Sequence, residues 1–301
     1  MLRARYLLLG AVAAGALAAT GCADVPARGA AAAVPALRVN GSTTVQPAVA
    51  EAADLLRARD GAAITVDVQG GSSGGLAALG DGRADVAMSS REVNATDRKR
   101  YPETRFHPVR IGVDAVALVV AKDVWEGGVR ALSREQVQAV YEGRVANWRA
   151  LGGPDRRIVF FSKEPGRGTW EVFAKWLYGD AEKAPLVTHP EVGANEEART
   201  KVASTPGAIA QLSAAWADGE TVFALGIVED GKAVMPTPAA VAGGSYPLVR
   251  PLLLVTDGPP RGSAKQLVDL LLAPRGQALV AKHGYLTLDR LAGGEDAAPA
   301  P

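Results

Sequence analysis

From residue 37 onward the chain repeats one phrase: an apolar run of strand length, a loop of glycine, serine and threonine, then a segment with apolar positions at helical spacing. Residues 36–40 form the first run, which ends in GSTT and leads into a predicted helix over 45–59. Residues 64–68 alternate as a strand does, run into QGGSSGG, and give way to LAALGDG, a short helix closed by glycine. A third strand over 84–88 ends in SSR. The longer run 111–122, IGVDAVALVVAK, leads to a different neighbourhood, with helices predicted over 133–141 and 169–177. Between them the strand 157–162 enters the loop KEPGRGT, so the hydroxyl and glycine signature occurs a fourth time. A further apolar run over 221–228, a strand over 246–255 and a helix over 264–272 resume the first style. Strands alternating with helices predict an α/β fold with ligands beyond the carboxyl ends of strands. The change of style and its return predict a chain that crosses twice between two lobes.

The opening residues follow another pattern. Arg3 and Arg5 precede an apolar run over 6–19, too short for a comfortable membrane span and laid out as a secretory signal. The run ends in Ala19, Thr20, Gly21 and Cys22, which resembles a lipoprotein processing box in which Cys22 is acylated, although Leu is usual where Ala19 stands. The alternative is ordinary cleavage within the Ala-rich stretch. Removing residues 1–21 takes two positive charges and leaves a nearly neutral mature chain. Residues 22–36, with small residues, two prolines and no amphipathic period, suit a flexible tether, and residues 289–301 suit a disordered tail.

Composition narrows the chemistry. The 301 residues are 48% hydrophobic and 22% charged, which fits a folded protein of about two domains. Lys plus Arg is 33 against 32 for Asp plus Glu, so no global basic field exists to hold nucleic acid or a membrane surface. An anion would have to be gripped locally. One cysteine and three histidines remove disulfide frameworks and zinc ribbons, and His107, His189 and His283 lack ligand spacing, so no metal is expected.

Local grip is what the loops offer. A small oxyanion held away from water needs several donors aimed at one point, which backbone N–H groups at a helix start supply with a favourable dipole. GSTT and PGRGT have that form; hydroxyls add donors, and glycine lets the backbone approach closely. A single such loop is equally an ordinary helix cap. Arg91 and Arg167 each sit inside one, and a guanidinium suits bidentate contact with a tetrahedral oxyanion; the alternative pairs them with carboxylates such as Glu92 or Glu164.

GSTTVQP, QGGSSGG, SSR and GRGTW before a helix resemble the substrate-binding subunit of phosphate ABC transporters, the PstS family. The likeness runs from about Leu37 to Leu288 and includes Asn147–Trp148 before the RIVFF strand and PGAIA over 206–210. It implies a two-lobed periplasmic binding protein of the type II kind, each lobe a mixed sheet flanked by helices with the cleft between. Residues 37–118 and 226–288 would form the first lobe and 119–225 the second. The implied ligands are Thr43, Thr44, Ser72, Ser90, Arg91, Gly166, Arg167, Gly168 and Thr169. An exported, lipid-anchored monomer that hinges shut on inorganic phosphate and meets a permease is implied as well, with no cofactor and no catalytic residues. Two positions depart from the family. Arg167 stands where a serine is usual, with Lys163 where an arginine is usual. Ser90 stands where some members place an aspartate that accepts the proton of hydrogen phosphate and so excludes sulfate.

Two other readings stay open. A lipid-anchored oxyanion or organophosphate sensor or scaffold would keep the fold without transport. GGSSG formally matches a GxSxG nucleophile elbow, and a serine hydrolase would combine Ser72 with Asp257 and His283.

Overall fold

The structure is a computed structural model that describes residues 36–185 and 187–292. The proposed signal segment, Cys22 and nearly all of the tether lie outside the described residues, as does the tail beyond residue 292.

The first part of the chain runs β1 (Leu37–Gly41), α1 (Gln46–Asp60), β2 (Ile64–Asp67), α2 (Gly71–Gly80), β3 (Val86–Ser89) and α3 (Ala95–Arg100). The long strand β4 (Phe106–Ala121) follows, then α4 (Lys122–Glu126), β5 (Ala131–Ser133), α5 (Arg134–Tyr141), β6 (Val159–Lys163) and α6 (Gly168–Tyr178). Next come β7 (Glu191–Val192), α7 (Asn195–Ser204), β8 (Ala208–Ser213), β9 (Val222–Ala224), β10 (Gly226–Glu229), β11 (Lys232–Val234) and α8 (Pro238–Ala242). The chain closes with β12 (Val249–Asp257), α9 (Gly262–Leu272), α10 (Pro274–Lys282) and α11 (Leu288–Ala292).

Hydrogen-bonded strands follow the order β2-β1-β3-β12-β4-β8-β6-β7, with β9 also on β4, and β11-β10-β5 form a separate small sheet. The long strand β4 belongs to both lobes. Its first part, to Ala115, pairs antiparallel with β12, and from Val116 it pairs with β8 instead. One apolar core lies between β1, β3, β12, α1 and α9, with Val39, Leu56, Met88 and Leu267 buried. Another gathers Leu118, Val137, Trp148, Phe160 and Phe173.

The lobe limits differ from the sequence expectation. The outward crossing falls between Ala115 and Val116, where β4 changes partner, rather than after residue 118. The return falls near Val249 rather than at residue 226: β10 pairs with β5, and Ile227, Val241, Tyr246 and Leu248 are buried in the second lobe's core. The tail also begins later than expected, because residues 289–292 complete α11.

Local chemistry explains the elements near the cleft. Pro47 sits in the first turn of α1, where a missing N–H costs nothing, and Gly61 closes the helix in the left-handed conformation. Helix α2 starts inside the glycine-rich segment expected to be loop. Glycine is needed there for contact: a Cβ on Gly75 would lie 2.6 Å from the Asn40 carbonyl oxygen and 2.7 Å from Gly41 Cα. The helix thus lies directly on the end of β1. The NW and PGAIA segments meet in the second lobe, where the buried Trp148 indole donates to the Gly207 carbonyl at 2.9 Å.

Because the obstructing atoms at Gly75 are backbone, Gly75→Ala is expected to destabilise the protein by about 1–3 kcal/mol through overpacking. Urea denaturation measures this; an unchanged midpoint contradicts the contact.

Candidate anion-binding cleft

Three turns of the first lobe are tied together by their own hydroxyls. The Ser42 amide donates to the Met88 carbonyl at 2.9 Å, which sets the end of β1 against the end of β3. The Ser42 hydroxyl donates to Ser90 Oγ at 2.9 Å, and the Ser90 amide donates to Ser72 Oγ at 3.0 Å. Gly41 allows this crowding, since a Cβ there would come within 2.2 Å of the Met88 oxygen.

The second lobe supplies two turns. One runs from β6 into α6, where a Cβ on Gly168 would stand 2.5 Å from Ser90 Oγ and 2.8 Å from Ser72 Oγ, so the backbone approaches the first lobe without an intervening side chain. The other runs from β7 into α7 and is fastened by Lys163, whose Nζ donates to the carbonyls of Gly193 at 2.9 Å and Ala194 at 2.8 Å. Bonds then cross between lobes. Asn195 Nδ2 donates to Thr44 Oγ1 at 3.0 Å, and the Ser73 amide donates to the Gly166 carbonyl at 3.2 Å.

Together these turns enclose a small cavity lined by Ser42, Thr43, Thr44, Ser72 and Ser90 from one side. Lys163, Arg167, Gly168, Thr169, Gly193 and Asn195 line the other. The enclosed space is about 10 Å³, roughly the room of one water molecule, so a small ion enters only as the two walls part slightly, and a larger ligand is excluded. Seven of the nine expected ligand residues line it. Arg167 is the most telling: its Nε is paired with Glu164 at 2.7 Å, while its buried Nη1 has no partner among the described residues.

Two expectations need correction. Gly166 is not a lining residue; its carbonyl serves the interlobe bond to Ser73. Arg91 is buried outside the cavity, its guanidinium held by Asp97 at 2.5 and 2.9 Å, by Glu171 at 2.7 Å and by Ser73 Oγ at 2.8 Å. Two carboxylates neutralise it, so it joins α3 to α6 across the cleft edge and leaves no charge for an anion. The hydrolase arrangement does not assemble either. Ser72 bonds Ser90, His283 pairs with Glu51, and Asp257 accepts from the Arg105 amide.

A family model described as a PBP superfamily domain matches residues 26–275. The chain belongs to that superfamily. A phosphate-binding protein PstS of Bacillus subtilis is 29% identical over 252 residues, covering 83% of this chain and 80% of its own. PstS of Borreliella burgdorferi is 26% identical over 262 residues, covering 82% and 88%. A solved putative phosphate ABC transporter substrate-binding protein with bound phosphate, from Clostridium perfringens, superposes with a TM-score of 0.74 at 27% identity, covering 84% of this chain and all of its own. The resemblance carried by GSTTVQP, QGGSSGG, SSR and GRGTW is borne out, and so is the two-lobed fold.

The cleft also contains a buried ion pair that the loop-by-loop reading missed. Arg250 of β12 stands opposite Asp114 of β4 in register, and both are almost fully buried. Its Nη2 and Nε donate to Asp114 Oδ2 at 2.7 and 2.9 Å, and Ser213 Oγ donates to Oδ1 at 2.8 Å. The remaining N–H groups reach Thr169 Oγ1 at 2.6 Å and Thr44 Oγ1 at 3.0 Å. The signal was available: a charge within an apolar strand, as in YPLVRPLLLV and IGVDAVALVV, must find a buried partner. Asn195, in GANEE, carries no comparable mark.

Lys163, noted in the sequence only as a departure from the family, is the other buried cation at the cleft. Burial, with Arg167 and Arg250 nearby, lowers its ammonium from 10.5 to about 7, against the opposing pull of Glu197 and Glu164. Between about pH 7 and 10.5 the unfolded chain therefore holds a proton that the folded chain lacks. Stability without ligand is expected to rise with pH through that window relative to Lys163→Met, in paired urea melts; equal pH slopes contradict it. Arg250→Met strands Asp114 and is expected to cost about 3–5 kcal/mol, with Asp114→Asn added to it restoring part of the loss. A double variant no more stable than the single would contradict the pairing.

Proposed function

We propose that this protein is an extracytoplasmic receptor that captures inorganic phosphate between its lobes and presents the closed form to an ABC permease. The observation that carries this is convergence: hydroxyl and glycine turns from both lobes, with the free Nη1 of Arg167, line one small cavity. Thr44, Ser72, Ser90 and the 167–169 turn bind the anion, with Lys163 and Arg167 supplying charge. Each charge-assisted bond contributes about 1.5–3 kcal/mol net, so several together offset the desolvation of a small dianion.

Closure makes the signal. Asn195 on Thr44, Arg250 on Thr169 and Arg91 on Glu171 all join the lobes, so their relative orientation is a surface a permease can recognise. The relatives named for phosphate, and the solved structure with phosphate bound, support that ligand. Export and acylation at Cys22 follow from the N-terminal pattern; among the described residues no helix is long and apolar enough to cross a membrane. The receptor acts as a monomer without a cofactor, and binding requires no covalent step.

Phosphate is expected to raise the melting temperature of the mature protein in proportion to the logarithm of its concentration, as linkage requires. Thr169→Ala is expected to weaken binding at least about tenfold in calorimetry, or about 1.4 kcal/mol. No shift with any oxyanion, or wild-type affinity in the variant, contradicts the assignment.

A further inference from the structure

We infer that the cleft does not reject tetrahedral oxyanions that lack a proton, so that sulfate competes with phosphate for the same cavity; this rests on the phosphate-receptor reading above. Telling hydrogen phosphate from sulfate requires a group that welcomes the ligand's proton and is penalised when the proton is missing. A fixed negative charge does both, because a proton-free dianion leaves it repelled and unpaired. No carboxylate lines the cavity among the described residues.

The nearby carboxylates are committed elsewhere. Asp114 accepts from Arg250 and Ser213, Glu164 from Arg167, and Glu197 from the Gly193 amide at 2.8 Å. The hydroxyls are committed as well. A hydroxyl carries one donor and two acceptor positions. Thr44 Oγ1 uses both acceptor positions, on Asn195 Nδ2 and Arg250 Nη2. Thr169 Oγ1 accepts from Arg250, Ser72 Oγ from the Ser90 amide, and Ser90 Oγ from Ser42. The protein thereby spends lone pairs and leaves the protons of Thr44 and Thr169 for the cavity.

The carbonyls of Gly193 and Ala194 are occupied by Lys163. Acceptors that remain, such as the Thr43 hydroxyl and the Asn195 amide oxygen, are neutral and do not repel a dianion. Losing one neutral hydrogen bond changes affinity by about tenfold, far short of exclusion.

Competition calorimetry on the mature protein at fixed pH and ionic strength tests this, with sulfate titrated alone and against phosphate. Sulfate is expected within a hundredfold of phosphate in affinity, and binding of phosphate with sulfate weaker than that overturns the inference alone. Failure of both anions to bind overturns the phosphate reading with it. Ser90→Asp, which sets a charge on the cavity wall, is expected to weaken sulfate at least tenfold more than phosphate. Equal weakening of the two would also overturn the inference.

Discussion

The ion pair between Arg250 and Asp114 is the constraint on which the cleft depends. The two residues face each other across β12 and β4 at the place where β4 passes from one lobe to the other. Neither charge is tolerable alone at that depth, so the pair fixes the strand register where the chain crosses. The guanidinium then has N–H groups left over, and these reach Thr44 of the first lobe and Thr169 of the second. One buried cation joins the crossing strands to both walls of the cavity. Movement about the crossing must therefore alter the hydroxyl arrangement.

The other arginines show how neighbours decide a role. Arg91 and Arg167 sit in similar hydroxyl and glycine turns, and their local sequence offers the same chemistry. Two carboxylates surround Arg91, one from α3 and one from α6, and turn it into a fastening between lobes. Arg167 meets a single carboxylate and keeps Nη1 for the cavity. Glycine divides in the same way: Gly75 permits helix-on-strand packing, whereas Gly168 brings the second lobe's backbone onto Ser72 and Ser90.

The strand and helix succession was legible because apolar periodicity is local, and the hydroxyl turns were legible because they fall at strand ends. The family resemblance of those turns then pointed to seven of the lining residues. What escaped depends on contacts distant in sequence. Arg250 and Asp114 are separated by 136 positions, and Asn195 and Thr44 by 151; a charge in an apolar strand marks Arg250 and Asp114 as needing partners, but nothing local says which partner. The lobe limits were misjudged because the run over 221–228 resembles the first-lobe strands, although β10 pairs with β5. Arg91 was misassigned because the decisive partner, Glu171, lies in the other lobe.

A crystal structure of the mature protein grown with phosphate tests the central claim most directly. The account predicts one tetrahedral ion between Thr44, Ser72 and Ser90 on one side and Arg167 and Thr169 on the other, with Arg250 still paired to Asp114 and Arg91 away from the ion. An ion held by Arg91, or one bound outside this cavity while the cleft residues stand apart, would contradict it.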